Sequence, residues 1–202
     1  MRKNLTALLA AAYFLLAASP GAAQVAWDSP LMVAPNTPAG WGVYLVDPSP
    51  GGGIGVLSTW RASTAPGGLG FRLGLAEGHR DRLAVYGGLD YSGMLLRSSA
   101  DFPMDVAWVT GVGLGVGSNA ILSAPLGVSL GRDFEADGVW FNPYVTPRVV
   151  LDAHFGGNGD LDLGLVVDLG IDLAFDPGWA IRFAGSVGDR SALAVGMSFR
   201  IR

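Results

Sequence analysis

Apolar residues alternate with small or polar ones from Gly40 almost to the last residue of the chain. The clearest stretch ends at Phe175. Leu161, Leu163, Leu165, Val167, Leu169, Ile171, Leu173 and Phe175 share one parity, and Asp160, Asp162, Gly164, Val166, Asp168, Gly170, Asp172 and Ala174 share the other. A helical period would scatter those aspartates around the whole circumference, so the order predicts a strand with one apolar face. The same alternation recurs around Leu69–Leu75, Leu83–Asp90, Met104–Val116, Leu122–Gly131, Val139–His154, Ile181–Val187 and Leu193–Arg202. Turn residues separate the runs: Asp47-Pro48, Pro66-Gly67-Gly68, Gly117-Ser118-Asn119, Gly156-Gly157-Asn158-Gly159, Asp176-Pro177-Gly178 and Gly188-Asp189-Arg190. Counting from Ile54 with Gly42–Asp47 added, the pattern predicts an all-β chain of about ten strands, with eight as the fallback. Chain ends on one side of a membrane require an even number. No stretch after the first 23 residues reads as a helix.

Alternation alone does not say which face is outside. Three features point the apolar face toward lipid. The small face is built from Gly, Ala, Ser, Asp and Arg, which suits a crowded lumen better than a water-washed sheet. The runs are long for ordinary strands but match a tilted membrane crossing. Trp60, Phe102, Phe141, Phe175, Trp179 and Phe199 fall near the turns of one rim, where interfacial aromatic girdles sit. Trp140 lies at the same rim with inward parity, and Trp108 falls in mid-strand. The expected fold is therefore a closed antiparallel up-and-down transmembrane β-barrel. A soluble periplasmic barrel binding an apolar ligand is the inverted alternative.

The first residues have the build of a secretory signal peptide. Arg2 and Lys3 start it, Leu5 to Ala18 is uncharged and apolar, and Ser19-Pro20-Gly21-Ala22-Ala23 supplies small residues for cleavage before Gln24. The apolar run spans about 14 residues, short of the ~20 that a membrane-spanning helix needs. Residues 24–39 contain Pro30, Pro35 and Pro38 and show no period. They read as a periplasmic lead-in. The expected organisation is thus a signal peptide at 1–23, the lead-in at 24–39 and one barrel domain at 40–202.

Composition narrows the chemistry. Cysteine is absent, which excludes disulfides and thiolate metal sites. Lys3 is the only lysine, so basic residues beyond it are all Arg, and the acids are nearly all Asp. The formal net charge is −4 and no basic run exists, so nucleic acid is not an expected partner. There are 31 glycines, yet half the chain is hydrophobic, which argues against disorder. Gly111-Val112-Gly113-Leu114-Gly115 lies within a strand pattern with no helix after it, so a nucleotide loop is rejected. The two histidines are far apart and support no metal site. No cofactor is expected.

On the small face, Arg72, Arg148, Arg182 and Arg200 accompany Asp90, Asp152, Asp162, Asp168 and Asp172. Arg forks grip carboxylates bidentately, so these residues predict ion-paired struts that fill a narrow lumen. A charged pore lining is the alternative. Asp152 and His154 have the same parity near the Gly156–Gly159 turn, with Asp160 or Asp162 opposite. A histidine beside carboxylates can activate water, so Asp152, His154 and Asp162 are catalytic candidates for a rim hydrolase.

The signal peptide, the dyad repeat from Gly40 to Arg202 and the terminal strand Ser191–Arg202 together resemble the small bacterial outer-membrane β-barrel superfamily. The resemblance implies a place in the outer membrane of the bacterial cell envelope, with the lipid bilayer and the barrel insertion machinery as partners. Members usually end on an aromatic residue, whereas here Phe199 is followed by Arg200-Ile201-Arg202. The Asp152–His154 spacing is also similar to that of an Asp–His pair in the omptin outer-membrane proteases. Those enzymes use further acids on another strand and have long loops forming a cleft, and this chain is much shorter. The expected role is a non-enzymatic barrel with a side-chain-filled lumen, structural or a minor passage for small solutes. A narrow porin-like channel is the next reading.

Overall fold

The computed structural model describes residues 25–48, 53–62, 67–77, 83–117, 119–155 and 160–200. The signal peptide at 1–23 and the Gly156–Gly159 turn lie outside the described residues.

Eleven strands follow in chain order: β1 Gly40–Asp47, β2 Gly55–Arg61, β3 Gly67–Glu77, β4 Leu83–Leu96, β5 Asp105–Val116, β6 Ala120–Gly131, β7 Phe134–Ala136, β8 Val139–Phe155, β9 Leu161–Asp176, β10 Trp179–Gly188 and β11 Ala192–Arg200. Each strand of the wall pairs antiparallel with the next. β6 pairs with β8, and β1 closes onto β11, with Gly40 opposite Arg200 and Asp47 opposite Leu193. The result is a closed ten-stranded up-and-down barrel, with every wall strand paired on both sides among the described residues. The extra strand, β7, forms a small hairpin with the start of β8, pairing Ala136 with Val139. Asp137 and Gly138 turn it with φ of 51° and 78°, positive at both central residues, as a two-residue hairpin of matching twist requires.

Strand parity sorts the residues as the sequence pattern predicts. Apolar side chains on every wall strand point outward and stand exposed, among them Leu45, Val56, Leu73, Leu89, Val112, Leu126, Val149, Leu169, Phe183 and Val195. This band encircles a transmembrane barrel, and it overturns the inverted alternative of a soluble barrel with an apolar interior. Inward positions carry Gly, Ala, Ser, Tyr, Arg and Asp. Three inward tyrosines each lie opposite a glycine on the neighbouring strand: Tyr44 faces Gly196, Tyr86 faces Gly74 and Tyr144 faces Gly170. Each ring covers the bare backbone beside it, so a Cβ at Gly74 or Gly170 would come within 2.2 or 2.4 Å of the tyrosine.

One boundary differs from the sequence reading. Residues 25–39 are not a lead-in outside the barrel. They run through its lumen as an irregular strap. Val25 to Ala34 are all buried, and Trp27, Asp28 and Leu31 are fully so. The strap joins β1 at Gly40, on the rim where β11 also ends, here called the near rim. Its first described residue, Val25, lies against Gly115, one residue from the end of β5 at the opposite, far rim.

The outward assignment predicts unequal effects for two substitutions. Leu73 is 51% exposed near the middle of β3, so Leu73→Arg should destabilise the barrel in lipid vesicles by about 2–4 kcal/mol. At inward-facing Gly164 an added Cβ has Asp189 as its nearest contact, at an ordinary 3.4 Å, and Gly164→Ser should be nearly neutral. Urea unfolding of both variants in vesicles checks the order. Equal losses would mean that the faces are misassigned.

Candidate functional site

The lumen is the site that the fold creates, and its walls are held by arginines bonded across to aspartates. Arg182 and Asp172 sit directly opposite each other on β10 and β9, and their side chains meet at 2.5 Å through two parallel contacts. Arg148 on β8 reaches Asp168 on β9, with Nε donating to Oδ2 at 2.6 Å. Asp168 also accepts from the Ser186 hydroxyl and, at 3.4 Å, from the Leu31 amide of the strap. Near the near rim, Arg61 pairs with Asp90, and Arg72 stands 3.8 Å from the same carboxylate. Toward the far rim, Arg190 in the β10–β11 turn grips Asp152 and donates to Ser123. Each of these side chains is largely or fully buried, where an unpaired charge would be costly.

The strap is tied to the same arginines. Arg72 donates to the carbonyls of Pro30, at 2.9 Å, and Leu31. It also lies 5.4 Å from the Trp27 ring centroid, within cation–π range. Arg182 donates to the Met32 carbonyl at 3.0 Å. The Val33 carbonyl accepts from Ser129 at 2.7 Å and from Thr146 at 3.4 Å. Arg148 donates to the Asp28 carbonyl at 3.0 Å and pairs with the Asp28 carboxylate, which also pairs with Arg190. Trp27 donates its indole N–H to the Ser123 carbonyl at 2.9 Å. The indole fits because the wall is bare there. A Cβ at Gly88, Gly111 or Gly113 would fall within 2.3–2.7 Å of it. The strap has no strand ladder to the wall, and the carbonyls of Asp28, Pro30, Leu31, Met32 and Val33 are satisfied by wall side chains.

Several sequence-derived candidates fall into this network, and others do not. Arg72, Asp90, Arg148, Asp152, Asp168, Asp172 and Arg182 are buried in the lumen. Arg200 and Asp162 are exposed, at the near and far rims respectively, so neither belongs to the buried network. Arg148 and Asp168 meet, whereas Asp172, the other partner within reach of Arg148 by strand order, is taken by Arg182. Arg61, Arg190 and Asp28 complete the network without having been marked in the sequence. At the far rim His154 lies 3.4 Å from Asp162, while Asp152 turns to Arg190. The three rim candidates are therefore split between two separate contacts.

Trp60, Phe102, Phe141, Phe175, Trp179 and Phe199 lie at the near rim. Trp60 packs on Trp41 with centroids 6.3 Å apart, Phe175 on Trp179 at 5.9 Å and Phe141 on Phe134 at 5.1 Å. Phe199 lies beside Trp41 and Trp179 in register, and Phe102 in the β4–β5 connection is exposed. Trp140 pairs with inward-facing Ala174 and borders an open recess of about 640 Å³ at the near mouth of the lumen. Asp133, in the turn before β7, borders the same recess. Partial burial raises its carboxyl above the ordinary aspartate range, and nearby Asp105 adds to the shift.

The fold is similar to that of a KdgM porin. The TM-score is 0.40 at 13% identity, and the match covers 80% of this chain and 99% of that chain. A likeness of that degree carries no argument about solutes or partners, and the architecture rests on the strand register itself. No protein-family model and no curated protein matches the chain.

The Asp172–Arg182 pair gives a direct check of the lumen chemistry. Asp172→Ala strands a buried guanidinium and should cost about 3–5 kcal/mol, whereas the double variant with Arg182→Met should recover much of that loss. Urea unfolding of the two single variants and the double variant measures the coupling. Strict additivity would mean that the pair does not act as a unit.

Proposed function

We propose that this chain is a non-enzymatic outer-membrane β-barrel, exported after removal of residues 1–23, whose lumen is closed at rest by its own N-terminal strap. Its resting role is structural, with little or no passage of solute. One observation carries this reading: a fully buried segment, Val25 to Ala34, occupies the lumen and is bonded to arginines from four parts of the barrel, β3, β8, β10 and the β10–β11 turn. The apolar outer band and the near-rim aromatics support the membrane assignment, because lipid-facing surface and interfacial rings are what a bilayer selects.

A second reading, a narrow channel that conducts when the strap leaves, is favoured by how the strap is held. Side-chain bonds and ion pairs retain it, and the closed ladder of the wall does not depend on it. Strap removal therefore leaves the wall hydrogen bonds intact.

Planar-bilayer recording separates these states. The mature protein should be electrically silent. A variant lacking residues 25–39 should show unitary conductance if the strap is the plug. Continuous conductance by the intact protein would contradict closure at rest. Silence in both proteins would mean that wall side chains alone fill the lumen.

A further inference from the structure

Among the described residues, the ion-paired network of the lumen is one carboxylate short in the wall and is completed by the strap. The described wall residues contribute five arginines to this network, Arg61, Arg72, Arg148, Arg182 and Arg190, but four aspartates, Asp90, Asp152, Asp168 and Asp172. The fifth carboxylate belongs to Asp28. Asp105, near the near rim, stands apart from the network, with its oxygens taken by the Ser98 amide and Asn36.

Asp28 is held as a ligand is held. One carboxylate oxygen pairs with Arg190 and the other with Arg148, and Arg148 also donates to the backbone carbonyl of the same residue. The two guanidiniums come from β8 and from the β10–β11 turn, and each is independently fixed: Arg148 by Asp168, and Arg190 by Asp152. The clamp is therefore pre-shaped by the wall and does not depend on the strap for its geometry. The Asp28 and Arg148 side chains are fully buried, while that of Arg190 retains 11% exposure, which leaves the clamp just beneath the far rim. Two fixed forks on separate oxygens of one carboxylate form a recognition geometry for oxyanions.

We propose that the Arg148–Arg190 clamp is a binding site for small oxyanions, carboxylate or phosphate in type, and that Asp28 occupies it as a built-in substitute ligand that keeps the strap seated. This rests on the strap being the plug of the lumen. With the strap withdrawn, Arg72 loses both of its carbonyl acceptors, and Arg148, Arg182 and Arg190 each lose one partner while keeping another. The vacated lumen then presents unsatisfied donors and one excess positive charge at the clamp toward the far rim, while Asp105 at the near rim loses its Asn36 partner and adds a carboxylate there. The clamp end of that path suits anions.

Chemical rescue tests the site. Asp28→Ala removes a carboxyl group and leaves a space that formate matches in size and charge. The full mature protein carrying Asp28→Ala, in detergent micelles, should unfold at a lower temperature than the wild type in sodium chloride. Sodium formate at matched ionic strength should restore much of that loss, while the wild type should respond equally to the two salts. Inorganic phosphate in a third arm, at the same ionic strength, distinguishes a site that takes both oxyanion types from one confined to carboxylates. Equal action of formate and chloride on the variant would overturn the proposal, as would a variant as stable as the wild type. If Asp28→Ala does not fold in chloride, refolding yield becomes the readout. Recovery in formate supports the site, and failure in both salts, together with no anion response from the shape-preserving Asp28→Asn, overturns it. The reversal potential of the variant lacking residues 25–39 separates this inference from the plug reading. Conductance selective for chloride over potassium supports both. Cation-selective conductance leaves the plug standing and removes the anion site. A silent deletion variant removes the plug and, with it, the role assigned to Asp28.

Discussion

A charged group carried out of water must meet its counter-charge, and the interior of this barrel is arranged around that requirement. Closing ten antiparallel strands satisfies every wall ladder but encloses a core lined with arginine and aspartate. Each of the five arginines of this network has a carboxylate within salt-bridge distance, and four of them also donate to strap atoms. The strap in turn has no ladder of its own, so the carbonyls of Asp28 and of Pro30 to Val33 depend on those guanidiniums and on the hydroxyls of Ser129 and Thr146. Wall and strap thus satisfy each other's buried polar groups.

Volume makes the same demand as charge. The inner faces of β4 and β5 carry Gly88, Gly111, Gly113 and Gly115, which leave a channel wide enough for a polypeptide chain. Trp27 fills the space beside three of them, and the Val25 carbonyl lies against the fourth. Elsewhere Tyr44, Tyr86 and Tyr144 perform that filling from the wall itself, each over an opposing glycine. The glycine abundance of the chain therefore has a spatial meaning. It makes room inside for one irregular segment and three phenol rings.

Most of the wall was legible in the sequence because a period of two is a direct record of inside and outside. The ten wall strands and the outward apolar face follow from it, as does the inward row containing Asp168 and Asp172. The ion pair between Arg148 and Asp168 was also within reach, since adjacent antiparallel strands bring their inward residues together. Other parts were hidden for physical reasons. The strap has no period, and its prolines read as a linker outside the barrel. Its signal was indirect, lying in the unfilled glycine faces of β4 and β5. Arg190 was read only as part of a turn, and Arg61 ends a strand, so neither stood out as lumenal. The β7 hairpin was missed although Asp137-Gly138 is a strong two-residue turn signal, because three residues are too few for alternation to show. At the far rim, Asp152 and His154 share parity, but parity does not say that a turn arginine will take the aspartate first.

The central claim is that residues 25–39 lie within the barrel, and the absence of native cysteine makes thiol labelling its most direct test. Leu31 is fully buried in the strap, whereas Asp101 is exposed between β4 and β5. In the folded protein, a water-soluble maleimide should label Asp101→Cys rapidly and leave Leu31→Cys unmodified until the barrel is denatured. Rapid labelling of Leu31→Cys in a barrel that remains folded would contradict the account, because it would place the strap in water and leave the lumen to the wall alone.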